Sequence, residues 1–155
     1  MSVERRLAEL GIELPPAPSP LASYIPVRVV GGLAFVSGTV AMESGQPLVT
    51  GRVGDEVSME RAGEAARRCA LQSLALLRHE LGTLDRITRI VQLTVYVASA
   101  PGFTEQPAVA NGASDLLVEV LGEDGRHTRA AVGVAELPLG APVEVAVIAE
   151  VAGPA

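Results

Sequence analysis

Arg129 and Glu144 are the two side chains around which a reaction can be built. Each opens a run in which residues alternate between two faces, the period of a strand. Arg129 shares its side with Ala131 and Gly133, both very small, and Glu144 shares its side with Ala146. A guanidinium above a floor of small residues, with a carboxylate in the same sheet, makes a pocket for a small anion. The plainer reading is an edge-strand arginine and a solvated glutamate, because charged side chains mostly decorate surfaces. His127 precedes Arg129 by two residues and reads as a loop histidine, its closeness to the arginine leaving a role at the site open.

Other chemistries find little material. Cys69 is the only cysteine in 155 residues, which excludes an internal disulfide, and its helical surroundings fit a packed thiol. His79 and His127 are far apart and no carboxylate–histidine spacing accompanies them, so no metal site is expected. No Walker motif or dinucleotide fingerprint occurs, and no cofactor is expected. The formal charge of −6 and the lack of a basic stripe disfavour nucleic acid as a partner. No apolar run approaches a membrane span, and the N-terminus lacks the apolar core of a signal peptide; the expected location is the cytoplasm.

The elements that must position Arg129 and Glu144 follow from periodicity. Val3, Leu7 and Leu10 predict a short helix capped by Ser2 and stopped by Gly11. Pro15–Pro20 reads as an extended arm. Two apolar runs, Pro26–Val30 and Leu33–Ser37, flank Gly31-Gly32 and predict a hairpin. Met42–Gln46 reads as a turn and Leu48–Val53 as a short third strand. Ser58 suits the cap of a long helix to Leu81, with Ala62, Ala66, Ala70, Leu74, Leu77 and Leu81 as its stripe and a Glu64–Arg68 pair beside it. Arg86–Ala98 alternates as a long central strand, Val91, Leu93, Val95 and Val97 facing one way. A second helix is expected from about Thr104 to Leu121, with Asn111 roughly opposite its apolar stripe. The last two strands, Arg129–Val134 and Val143–Val151, are expected to form a hairpin around Leu137–Pro142. Helices on one face of a mixed sheet make an α+β layer architecture, and the apolar sheet face left over predicts an oligomer.

Several of these stretches carry a resemblance. Tyr24 leading into Phe35-Val-Ser-Gly38, Asn111 in the second helix, Arg129-Ala-Ala-Val-Gly-Val-Ala-Glu-Leu-Pro138 and Val143-Glu-Val145 together resemble the RidA (YjgF/YER057c/UK114) family, in a longer branch of it. The resemblance runs from Tyr24 to Val151. It implies one domain over 1–155, with an N-terminal helix and proline-rich arm at 1–22 and the core at 23–151. It implies a chorismate-mutase-like α+β fold and a homotrimer with three clefts between subunits. Residue by residue, it implies that Arg129 grips a substrate carboxylate, that Glu144 holds the hydrolytic water, and that Tyr24, Ser37, Gly38 and Asn111 line the cleft. The implied activity is hydrolysis of 2-aminoacrylate and related enamines or imines to 2-keto acids and ammonia. Three positions depart from the family pattern: Thr39 follows Ser37-Gly38 in place of glutamine, His127 stands where proline is common, and Ala131 replaces a common cysteine.

The chemistry suits these residues. An imine carbon conjugated to a carboxylate is already electrophilic, so hydrolysis needs the acid held, a water aimed and protons moved. Arginine binds a carboxylate through a two-point fork, and a nearby carboxylate orients water. Backbone N–H groups near Gly38 or Ala131 add polarisation. With the hairpin centred near Leu139, Arg129 and Glu144 are offset by five residues, roughly 15 Å at about 3.3 Å per residue. That exceeds the reach of one three-carbon acid, so separate subunits are expected to supply them. The alternatives are a trimer that binds a small carboxylate without catalysis, which the same arginine permits, and a ribonuclease, which the acidic charge disfavours.

Overall fold

The computed structural model describes residues 1–19 and 22–153. Pro20, the last residue of the expected arm, lies outside the described residues, together with Leu21, Pro154 and Ala155. Helix α1 (Val3–Leu10) is capped by the Ser2 hydroxyl, which accepts from the Arg5 N–H, and ends at Gly11 in the left-handed conformation. Val3 and Leu7 are its buried stripe. Its outer groups are tied down as well: Glu4 bonds Arg78 and the Leu84 N–H, and Asp85 accepts from Ser2.

Strands β1 (Val27–Val30) and β2 (Leu33–Val40) form the expected hairpin around Gly31 and Gly32, both with positive φ. The expected turn at Met42–Gln46 is a minimal hairpin of its own. Strands β3 (Met42–Glu43) and β4 (Gln46–Pro47) flank Ser44 and Gly45, at φ 52° and 79°. Two consecutive positive φ values give the turn twist that a two-residue hairpin requires. Leu48–Val53 is not a strand, contrary to its composition. It is a loop whose strand-like contacts are isolated bridges of Val53 to Val57 and Ser99, with Gly51 at φ 123° breaking any ladder.

Helix α2 (Met59–Leu81) and helix α3 (Gln106–Leu121) cover one face of the sheet. The predicted stripe of α2 is buried, as is the stripe Val109, Ala113, Leu116, Leu117 and Val120 of α3. Glu64 pairs with Arg61 rather than with Arg68, whose Nε donates to the Met42 carbonyl at 2.9 Å. The helices meet at two glycines: a Cβ on Gly112 would lie 2.0 Å from the Gly63 carbonyl oxygen, whereas one on Gly63 would meet nothing within 4 Å. Only glycine at 112 lets α3 approach α2 this closely.

The main sheet has five strands in the order β1-β2-β7-β5-β6, with β5 (Ile87–Ala98), β6 (Thr128–Val134) and β7 (Val143–Val151). β5 pairs parallel with β6 and antiparallel with β7. The expected β6–β7 hairpin is therefore wrong, because β5 lies between its two arms. Residues 135–142 straddle the end of β5: the Ser99 N–H donates to the Val134 carbonyl and the Ala98 N–H to the Pro142 carbonyl. β5, the longest strand, lies between β7 and the edge strand β6, and α3 supplies the crossover that the parallel β5–β6 pair needs. Along β5, Leu93, Val95 and Val97 face the helices as expected, but Val91 is exposed. A register shift between Ile90 and Gln92 turns it outward and buries Ile90 instead.

The other sheet face carries Phe35, Val132 and Val30, which are 40%, 44% and 58% exposed, with half-buried Ile148 and Tyr96 between them. Among the described residues, no helix is long and apolar enough to cross a membrane.

Candidate active site

Arg129 pairs in register with Leu93, whose side chain is buried under the helices. In-register neighbours share a face, so Arg129 points to the helix side of the edge strand β6. There it meets α3. Asn111 and Ser114 are three residues apart on that helix and lie on one surface. Arg129 Nη1 donates to Asn111 Oδ1 at 2.8 Å and to Ser114 Oγ at 3.1 Å. Ser114 Oγ lies 2.9 Å from His127 Nε2, and His127 Nδ1 lies 2.7 Å from the Gly125 carbonyl oxygen. A carbonyl only accepts, so Nδ1 carries a hydrogen. In the neutral ring Nε2 then accepts the Ser114 hydroxyl hydrogen, and Ser114 accepts from Arg129.

This arrangement consumes both hydrogens of Nη1. The side edge of the fork, Nε–H with Nη2, has no partner among the described residues. It is the edge that takes a carboxylate through two parallel bonds. Arg129, Ser114, His127 and Arg126 line an open concavity of about 600 Å³, with Asp115 and Glu119 also on its wall. Ala131 and Gly133 follow Arg129 along the same side. A Cβ on Gly133 would lie 3.0 Å from Gln106 Nε2 and 3.1 Å from Ser99 Oγ, so the end of that floor is closed by polar atoms.

Glu144 belongs to a different place. It pairs with Tyr96, three residues from Leu93 on β5, and so faces the open side of the sheet. On β2 it pairs with Val40, just past a bulge at Ser37 and Gly38 where the β2–β7 register shifts between Val36 and Thr39. The carboxylate lies over Gly38: a Cβ there would come within 2.6 Å of Glu144 Oε2. Partial burial pushes the Glu144 carboxyl above its ordinary value of 4.5, and no neighbouring cation or donor offsets it among the described residues. Ser37 Oγ donates to the Ile25 carbonyl at 2.9 Å and its N–H to the Pro26 carbonyl at 2.8 Å. These bonds pin the chain just after Tyr24, whose ring is 50% exposed.

The candidate residues thus fall into two sets. Arg129, Asn111 and Ala131 lie at the helix side of β6; Glu144, Gly38, Ser37 and the segment after Tyr24 lie on the opposite side of the sheet. Arg129 and Glu144 are three residues apart along β5 and two strands apart across it. At about 3.3 Å per residue and about 4.8 Å per strand, their Cα atoms are about 14 Å apart. The expected separation survives, although the hairpin from which it was reckoned does not. Sequence reasoning missed Ser114, which the i+3 spacing from Asn111 could have flagged. Among the described residues, no group of three or more His, Cys, Asp or Glu side chains could hold a metal ion.

The family described as "YjgF/chorismate_mutase-like, putative endoribonuclease" matches residues 4–151. The chain belongs to this YjgF family. Protein TCP17 of Trypanosoma cruzi is 46% identical over 149 residues, covering 96% of this chain and 93% of that protein. The crystal structure of Atu1372 from Agrobacterium tumefaciens, a protein of unknown function, is 47% identical with a TM-score of 0.87, covering 97% of this chain and 92% of that one. A "putative endoribonuclease" from Shewanella oneidensis MR-1 is 32% identical with a TM-score of 0.92 over 97% and 100% of the two chains. RidA from Psychrobacter sp. PAMC 21119 shares the YjgF fold at a TM-score of 0.60 and 23% identity, over 87% of this chain and 94% of that one.

Proposed function

We propose that this YjgF protein is a hydrolytic deaminase of small enamines and imines bearing a carboxylate, acting as a homotrimer at clefts between subunits. The observation that carries the reading is the Arg129 fork on the wall of a concavity, held through Nη1 by Asn111 and Ser114, with its Nε/Nη2 edge free of partners among the described residues. The likeness to a protein named RidA agrees with it. Arg129 binds the carboxylate of the imine and fixes its plane. Glu144, from the neighbouring subunit, accepts a proton from water as the water oxygen bonds to the imine carbon. The proton passes to nitrogen and leaves a carbinolamine; its hydroxyl proton then moves to nitrogen as the carbon–nitrogen bond breaks, so that ammonia leaves and the carbonyl forms. An enamine enters the same sequence after one proton moves to its methylene carbon. Partial burial suits Glu144 to this exchange, because it brings the carboxyl closer to neutrality than an exposed one.

Two subunits are required because Arg129 and Glu144 lie on opposite sides of one sheet, beyond the span of a three-carbon acid. The half-exposed apolar face is the surface on which the copies meet. The endoribonuclease description of some relatives fits this chain less well, since a net charge of −6 repels a polyanion. The test is complementation. R129A and E144Q chains are each expected to be inactive as homotrimers and to recover part of the activity when refolded together. Failure of the mixture, with wild type active in the same assay, overturns the shared cleft. Failure of wild type to speed the decay of several imino acids overturns the deaminase reading.

A further inference from the structure

We propose that Ser114 and His127 are positioning residues for Arg129, forming a polar relay that selects which edge of the guanidinium meets the substrate. The inference rests on the reading of Arg129 as the carboxylate grip and extends it to two residues outside the reacting set. The relay starts from a rigid point. The 3₁₀ turn Gly122–Gly125 is pressed against α3 so closely that a Cβ on Gly125 would lie 2.2 Å from the Leu117 carbonyl oxygen. The Gly125 carbonyl is therefore fixed relative to the helix. It orients the His127 ring through Nδ1 at 2.7 Å, the ring orients the Ser114 hydroxyl at 2.9 Å, and Ser114 turns a lone pair to Arg129 Nη1 at 3.1 Å. Every donor points the same way along this chain, so each bond reinforces the next.

The consequence is selection as well as rigidity. An exposed arginine samples many rotamers and loses that freedom when it binds. Asn111 alone leaves the guanidinium free to pivot about one bond; Ser114 supplies the second and fixes its plane. With Nη1 doubly occupied, only a side-on approach by the carboxylate is open. His127 and Ser114 act on ligand affinity through Arg129, in both the ground and transition states, and so on KM more than on kcat.

The experiment uses the full chain in four variants: S114A and H127F, which break the relay, and S114T and H127Q, which keep a polar atom at each place. The probes are 2-ketobutyrate binding by calorimetry, imine turnover, and the Arg129 side-chain NH signals in the ligand-free protein. S114A and H127F are expected to raise Kd and KM about 3- to 10-fold, the effect of one lost hydrogen bond, with kcat within about twofold. S114T and H127Q are expected to stay within about threefold of wild type. The Nη1 hydrogens should be resolved in wild type and S114T and averaged in S114A. Unchanged Kd in S114A overturns the proposal, as does H127Q being as impaired as H127F. If wild type neither binds the ketoacid nor turns over imine, the deaminase reading fails, and the Arg129 signals still decide the relay: averaged Nη1 hydrogens in wild type refute it.

Discussion

Replacing Arg129 by lysine keeps the charge and removes the fork, which makes it a sharper probe than alanine. In the proposed complex the carboxylate takes two charge-assisted bonds, from Nε–H and Nη2–H, because Nη1 is committed to Asn111 and Ser114. A lysine ammonium supplies one of the two. The bond lost is worth about 1.5–3 kcal/mol, since one partner is ionised. At about 1.4 kcal/mol per decade, R129K should lower kcat/KM by about 10- to 150-fold. Stability should hardly change, because Arg129, Asn111 and their surroundings are open to water, which replaces the broken bonds; about 0.5 kcal/mol bounds the effect. The assay is an amino-acid oxidase converting alanine to 2-iminopropionate in the presence of semicarbazide. The proposed activity removes the imine before the trap captures it and is read as suppressed semicarbazone. R129K within twofold of wild type would refute the two-point grip, because charge alone would then suffice.

E144Q should lose about 100-fold or more in kcat, the usual worth of a positioned base. Because burial raises the Glu144 pKa, the wild-type rate should climb with pH through a value above the ordinary 4.5, and stopped-flow profiles should show that acid limb vanish in E144Q. The same shift has a stability sign. The favourable contribution of the protonated side chain is complete below the unfolded value and lost as pH rises through the folded one, so E144Q should gain in melting temperature over wild type at neutral pH and lose that gain in acid. G38A puts a methyl within 2.6 Å of Glu144 Oε2; the flexible carboxylate moves aside, and kcat should fall about 10-fold with melting unchanged. At the helix crossing, G112A should destabilise by about 1–3 kcal/mol through overpacking. G63A should be neutral or stabilising by up to about 1 kcal/mol, and thermal melts of the pair separate the two glycines.

The helices were legible because their signals are local. Ser2 and Ser58 cap as their types predict, and Gly11 and Gly82 end their helices in the left-handed conformation. The period-2 pattern of Val143–Val151 gave the inward set Val143, Val145, Val147 and Ala149. Strand partnership was not legible. Alternation on either side of Leu137–Pro142 looks the same whether the strands pair with each other or, as here, with β5 between them. Leu48–Val53 shows the same limit, since its composition suits a strand and Gly51 prevents one. In the candidate site, Arg129 and Asn111 were visible as residue types in place. Ser114 was missed: its i+3 spacing from Asn111 marks a shared helix surface, but its contact with Arg129 depends on the distance between α3 and β6.

The position of β5 has one more consequence. This strand is a spacer of fixed width between Arg129 and Glu144, and no rotamer change within one molecule can close the gap it keeps. If both groups serve one substrate, turnover per chain depends on how much of the protein there is. On that reading a copy separated by dilution holds half a reaction centre, and the rate is expected to fall more steeply than the concentration.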